Sequence, residues 1–184
     1  MRHPKLLPLG GLAVLILLLG CDETSSVSPS PTPLSALANE YLPRPWKESY
    51  QASGTIAPGG RCPAPLLLES DQGGGTATHV GKYTIVNSHC VDPITGALTG
   101  GTFVKTTANG DQIFGTYAGS ATVIQAPAPV GIFSLSGTVE FTGGTGRFAG
   151  ATGTTSMTGT LHGDFSQSPV PTQVTLRMIG TISY

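Results

Sequence analysis

At 184 residues the chain is long enough for one domain with a proper core. It has 26 glycines, roughly twice the ~7% average, and only 10% charged residues, which suits a β-rich, turn-punctuated protein and excludes a helical bundle. The formal net charge of −1 comes with few, scattered Lys and Arg, so no nucleic-acid partner is expected.

Residues 1–20 have the parts of an export signal: basic Arg2 and Lys5, an apolar run from Leu6 to Leu19, and small Gly20. The run Leu18-Leu19-Gly20-Cys21 resembles the bacterial lipobox. That resemblance implies acylation of the Cys21 thiol and cleavage before it, because several acyl chains anchor durably where one is marginal. An ordinary cleaved signal and an uncleaved anchor are the alternatives, though the apolar run of about 14 residues is short of the ~20 that span a bilayer. The expected location is the bacterial cell envelope, facing the periplasm or the exterior.

Residues 21–45 include Ser28-Pro29-Ser30-Pro31-Thr32-Pro33, too poor in apolar side chains to order itself, and read as a tether. A folded domain is expected over 46–184. Tyr50, Ala52, Gly54 and Ile56 alternate with polar neighbours as in a half-buried strand, which Pro58-Gly59-Gly60 ends. With Cys21 assigned to lipid, Cys62 and Cys90 are left as an even pair in an oxidising compartment, and a disulfide is expected ahead of two buried thiols or a redox pair.

The next strand is expected over Thr76–Val91, with Tyr83 and Ile85 on one face and Lys82, Thr84 and Val86 on the other. On a continuous strand His79 and His89 would share a face ~33 Å apart, too far to share a metal, so each reads as a surface side chain. Asp92–Gly96 reads as a turn. Asn109-Gly110 predicts a two-residue hairpin that would set Thr106 opposite Ile113, Val104 opposite Gly115 and Thr102 opposite Tyr117, with Lys105 beside Phe114 on the other face. From Gly131 to Thr142, the strongest β pattern, Phe133, Leu135, Val139 and Phe141 alternate with polar residues.

Gly143, Gly144, Gly146, Gly150 and Gly153 lie in Gly143-Gly144-Thr145-Gly146-Arg147-Phe148-Ala149-Gly150-Ala151-Thr152-Gly153. A phosphate cradle needs a helix beginning at the glycines, and the β-branched run that follows cannot supply one. The segment reads instead as a structural glycine corner, with a bulge to reconcile even-numbered Phe148 with odd-numbered Met157, Leu161 and Phe165. Val174, Leu176, Met178 and Ile182 mark a last strand able to close on the first. His162 and Asp164 read as an exposed polar face, and Glu140 with Arg177 as an exterior cross-strand pair.

The glycine corner resembles the glycine-rich hairpin of the dirigent and allene oxide cyclase superfamily. With Thr78-His79-Val80-Gly81-Lys82-Tyr83-Thr84 upstream, the chain is similar to a family of secreted bacterial proteins and lipoproteins with an allene-oxide-cyclase-like barrel. The resemblance implies an all-β fold: a closed antiparallel up-and-down barrel of about eight strands, preceded by the signal peptide and disordered linker. It brings no catalytic, cofactor-binding or metal-ligating residue, since the plant enzymes' catalytic residues have no motif counterpart here. The functional expectation is a binding or envelope-structural module, held to the membrane by its lipid and open to a small apolar ligand. The alternative is an isomerase or cyclase-like enzyme acting on a lipid-derived or phenolic substrate.

Overall fold

The computed structural model describes residues 42–184. The export signal, Cys21 and all but the end of the tether lie outside the described residues. Eight strands follow one another in a meander: β1 (Arg44–Pro58), β2 (Leu67–Ala77), β3 (Gly81–Val91), β4 (Ala97–Thr107), β5 (Gln112–Gln125), β6 (Val130–Gly144), β7 (Thr152–Asp164) and β8 (Val170–Ser183). Each pairs antiparallel with the next, and β8 closes on β1, with Tyr50 opposite Leu176. Closure removes both sheet edges, and the expected all-β, eight-strand antiparallel barrel is what the chain forms.

Alternation decides what fills the barrel. Tyr50, Ala52 and Ile56 point inward from β1, Leu135, Val139 and Phe141 from β6, Met157 and Leu161 from β7, and Val174, Leu176, Met178 and Ile182 from β8. Arg177 points outward, as expected. Glu140 faces Thr154 and Arg177 faces Thr158, so the two charges stand at different heights and the expected exterior pair does not form.

The stretch expected as one strand over Thr76–Val91 is two elements. The chain reverses between Ala77 and Gly81, where His79 takes a left-handed φ of 66° and Gly81 one of 75°. Strand β2 precedes this turn, and its inner face carries Glu69, Asp71, Gly73, Gly75 and Ala77. Hydrophobic periodicity has nothing to report on such a face, which is why the sequence pattern passes over it.

The β4–β5 hairpin is one residue longer than a two-residue turn requires. Thr107 N–H donates to Asp111 O, and Ala108, Asn109 and Gly110 form a three-residue loop with Gly110 at φ 89°. The register therefore sets Lys105 opposite Ile113, Phe103 opposite Gly115 and Gly101 opposite Tyr117, one step from that expected. This puts Lys105 among the inward residues.

The glycine segment is a corner between β6 and β7. A single 3₁₀ turn, Gly146–Phe148, buries Phe148 completely, and Gly146 and Gly150 have φ of 57° and 77°. Thr145 exchanges hydrogen bonds with Gln112, through its N–H to Gln112 O and its Oγ1 from Gln112 N–H, which pins the corner to β5. The turn absorbs the parity change between Phe148 and Met157. The irregularity in the ladder lies earlier, where Phe114 and Gly115 pair with Gly143 and Phe141 and Thr142 is left over.

The two ends of the barrel differ. At one end, where β1 begins, Trp46, Phe141, Phe148 and Ile182 fill the interior around the Lys105–Glu48 ion pair. Trp46 and Phe141 meet edge to face at 4.9 Å, and Lys105 Nζ sits 4.8–5.5 Å from the rings of Trp46, Tyr83, Phe103 and Phe141. The opposite end is open.

Candidate functional site

The open end is lined by inward residues from the strand ends there: Ile56, Val91, Leu98, Leu135, Leu161 and Val170. They enclose a cavity of about 510 Å³, within the ~300–1,000 Å³ range of small-molecule sites. Phe133 and Phe165, with ring centroids 5.9 Å apart, form one lip. Exposed Ile94, Val123 and Phe165 make the rim apolar.

Two acidic residues line the cavity: Asp92 at the rim, and Glu69 deep within the wall at 1% exposure. Behind it lies a buried polar cluster built by register. Glu69 faces His89 across the β2–β3 ladder, and Asp71 faces Asn87 one step deeper. His89 Nδ1 lies 2.8 Å from Tyr117 Oη, and the Tyr117 hydroxyl donates to Asn87 Oδ1 at 3.1 Å. His89 Nε2 is 3.2 Å from Glu69 Oε2, but the two are not aligned as a hydrogen bond, and Glu69 Oε1 has no partner among the described residues.

Two glycines make room for this cluster. Gly54 separates Asp71 from Thr172: a Cβ there would fall 2.2 Å from Asp71 Oδ1, and its absence lets Thr172 Oγ1 donate to that oxygen at 3.2 Å. Gly101 lies under the Tyr117 ring, where a Cβ would come within 2.6 Å of the ring carbons. The bulge in β4 beside it, with Gly100 at φ 58°, lets the sheet curve around Tyr117.

Electrostatically the cluster is acidic and desolvated. Burial, reinforced by the neighbouring Glu69 carboxylate, raises the Asp71 carboxyl to about 7, with His89 and the Thr172 hydrogen bond pulling the other way. Burial first, then nearby acidic groups, pushes the Tyr50 and Tyr117 phenols far above the usual tyrosine range, so both stay neutral. At the closed end burial lowers the Lys105 ammonium and Glu48 opposes the shift. Glu48 also accepts from Trp46 Nε1 at 2.8 Å and from the Tyr83 hydroxyl. Lys105, Glu48, Trp46 and Tyr83 are all buried, and each of their side-chain polar atoms has a partner.

His89 is thus a correction to the sequence reading: it is 5% exposed and sits in the polar cluster, because it shares the inward face of β3 with Tyr83, Ile85 and Asn87. His79 and His162 are exposed, and Asp164 bonds Ser166 and Gln167 in its own turn. The sequence pattern does not mark Glu69, Asp71, Asn87 or Tyr117 as site residues. The one available signal was the alternation Glu69, Asp71 within a glycine-rich run.

Cys62 and Cys90 form a disulfide spanning 28 residues. It holds the β1–β2 connection against the outside of β3, next to His89, where Arg61 Nη2 donates to Ser88 O at 2.7 Å. Gly143, Gly144, Gly146, Gly150 and Gly153 are at or beside the closed end, away from the cavity. Among the described residues no three His, Cys, Asp or Glu side chains converge as metal ligands, and no helix is long and apolar enough to cross a membrane. No family model, curated protein or solved structure matches the chain.

Proposed function

We propose that this is an exported, lipid-anchored binding protein that holds one small apolar molecule in the open mouth of its barrel. The carrying observation is the cavity of about 510 Å³, walled mainly by aliphatic and aromatic side chains. Apolar surface leaving water supplies the affinity, at ~25 cal/mol per Å² before the costs of association. The apolar rim supports entry from an apolar phase. Since β1 begins at the closed end, a tether attached there leaves the mouth at the far end of the barrel from the attachment. The likeness of the glycine corner to dirigent and allene oxide cyclase barrels supports the same architecture for this reading, with Cys21 as the acylated residue.

The test is solvent extraction and native mass spectrometry of the protein purified from its own host, followed by titration with the neutral probe N-phenyl-1-naphthylamine. A retained small molecule and saturable one-to-one probe binding are expected. Ala121 lies in the cavity wall, and Ala121→Trp should fill the space and abolish the binding. Probe binding unaffected by that substitution would place the ligand elsewhere and defeat the reading.

A second reading, an isomerase or cyclase-like enzyme on a lipid-derived or phenolic substrate, draws on one observation: acid/base groups Glu69, Asp71 and His89 lie together at the cavity wall and behind it. It requires the bound molecule to leave chemically changed, which the same extraction detects when repeated after incubation.

A further inference from the structure

The cavity has an apolar wall and a single buried acid, and this difference selects among apolar molecules. Glu69 is 1% exposed and its Oε1 has no donor among the described residues. An ionised carboxylate only accepts hydrogen bonds, and leaving one of its oxygens buried and unpartnered is costly. The nearest groups do not relieve it. His89 Nε2 stands 3.2 Å from the other oxygen, Oε2, while His89 Nδ1 is engaged with Tyr117. Asp71 adds a second acid to the same interior, hydrogen-bonded to Thr172. The one base in the cluster is His89, and the one ionisable group in the cavity lining besides Glu69 is Asp92, whose side chain is tied to its own turn through Ile94 N–H and Thr95 N–H.

We propose that the cavity takes an amphiphile with an aliphatic or aromatic body and a hydrogen-bond-donating head, an amine or a hydroxyl, whose donor reaches Glu69 Oε1. This rests on the reading of the cavity as a binding site and goes beyond it by naming the head group. The aliphatic wall takes the body, and the donor removes the cost of the unpartnered carboxylate oxygen. A cationic amine also offsets the excess of acids over bases in the cluster. A ligand carboxylate would set further acceptor oxygens and charge against the Glu69 carboxylate, and a ketone would offer an acceptor where an acceptor already stands.

The experiment uses the full chain, stripped of bound lipid on a hydrophobic resin, with displacement of N-phenyl-1-naphthylamine by decylamine, 1-decanol, 2-undecanone and decanoate. Amine and alcohol are expected to bind about tenfold or more tightly than ketone and decanoate, the scale of one charge-assisted hydrogen bond. In Glu69→Gln, checked for folding by circular dichroism, the advantage of the amine should collapse. The series on the unsubstituted chain decides the matter even if that variant misfolds. Equal affinity for all four heads, or preference for ketone or decanoate, overturns the proposal while leaving the binding reading intact. Failure of the probe itself to bind overturns both.

Discussion

Lys105 Nζ lies 2.5 Å from Glu48 Oε2 inside the closed end of the barrel, and both side chains are wholly out of solvent. A desolvated pair of this kind adds little net stability when whole but is expensive to break, because a lone buried charge remains. Lys105→Met is expected to cost ~3–5 kcal/mol in urea unfolding. Adding Glu48→Gln, whose amide oxygen can still accept from Trp46 Nε1 while its amide NH2 donates to the Tyr83 hydroxyl, should recover part of that loss. A neutral effect of the single substitution would show that the pair is not the structural plug described.

At the other end Asp71 makes stability depend on pH. In an unfolded chain an aspartate titrates near ~3.9, whereas burial and Glu69 raise the native group to about 7. Between those values the native state holds a proton that the unfolded state has released, so this contribution to stability falls as pH rises from about 4 to about 7 and then levels. Burial and then Glu69 raise the midpoint, while His89 and the Thr172 hydrogen bond pull it down. The difference in unfolding free energy between the native chain and Asp71→Asn, measured across that range, should shift in favour of the variant with rising pH. A flat difference would show that Asp71 ionises normally in the folded barrel.

The Cys62–Cys90 bridge closes a loop of 28 residues. In the chain-entropy model such a loop is worth ~3–4 kcal/mol. Reduction, or Cys62→Ala with Cys90→Ala, should lower the urea midpoint accordingly. Because the bridge holds the β1–β2 connection beside His89, probe affinity should weaken as well. A reduced protein with an unchanged midpoint would count against the bridge as a stabilising element.

Gly101 is expected to tolerate no side chain. Gly101→Ala would press a methyl group against the Tyr117 ring and its backbone oxygen, at a cost of ~1–3 kcal/mol for overpacking. Displacing the ring would also break its contact with His89, so the ¹⁵N resonances of the His89 imidazole should move. Unchanged resonances and stability would mean that the sheet can shift to accept the methyl group.

The barrel was readable where the inner face is apolar. Tyr50, Ala52 and Ile56, the Phe133 to Phe141 alternation and the Val174 to Ile182 run each name their own inward side, because a two-residue period separates apolar from polar positions on any half-buried strand. The corner at Gly143–Gly153 was readable too, since its glycines could not begin a helix. Export and lipidation at Cys21 rest on the sequence alone.

The cavity and its acid were decided by tertiary structure. Glu69, Asp71, His89 and Lys105 carry polar signatures that in isolation mean an outward face or a loop. Closing eight strands into a barrel reverses that assignment: the registers Glu69 with His89 and Lys105 with Ile113 turn these side chains inward, where Glu48 compensates Lys105 and His89 stands against Glu69. Compensation of buried charge is a property of pairs brought together from distant strands, so no local stretch of sequence can display it.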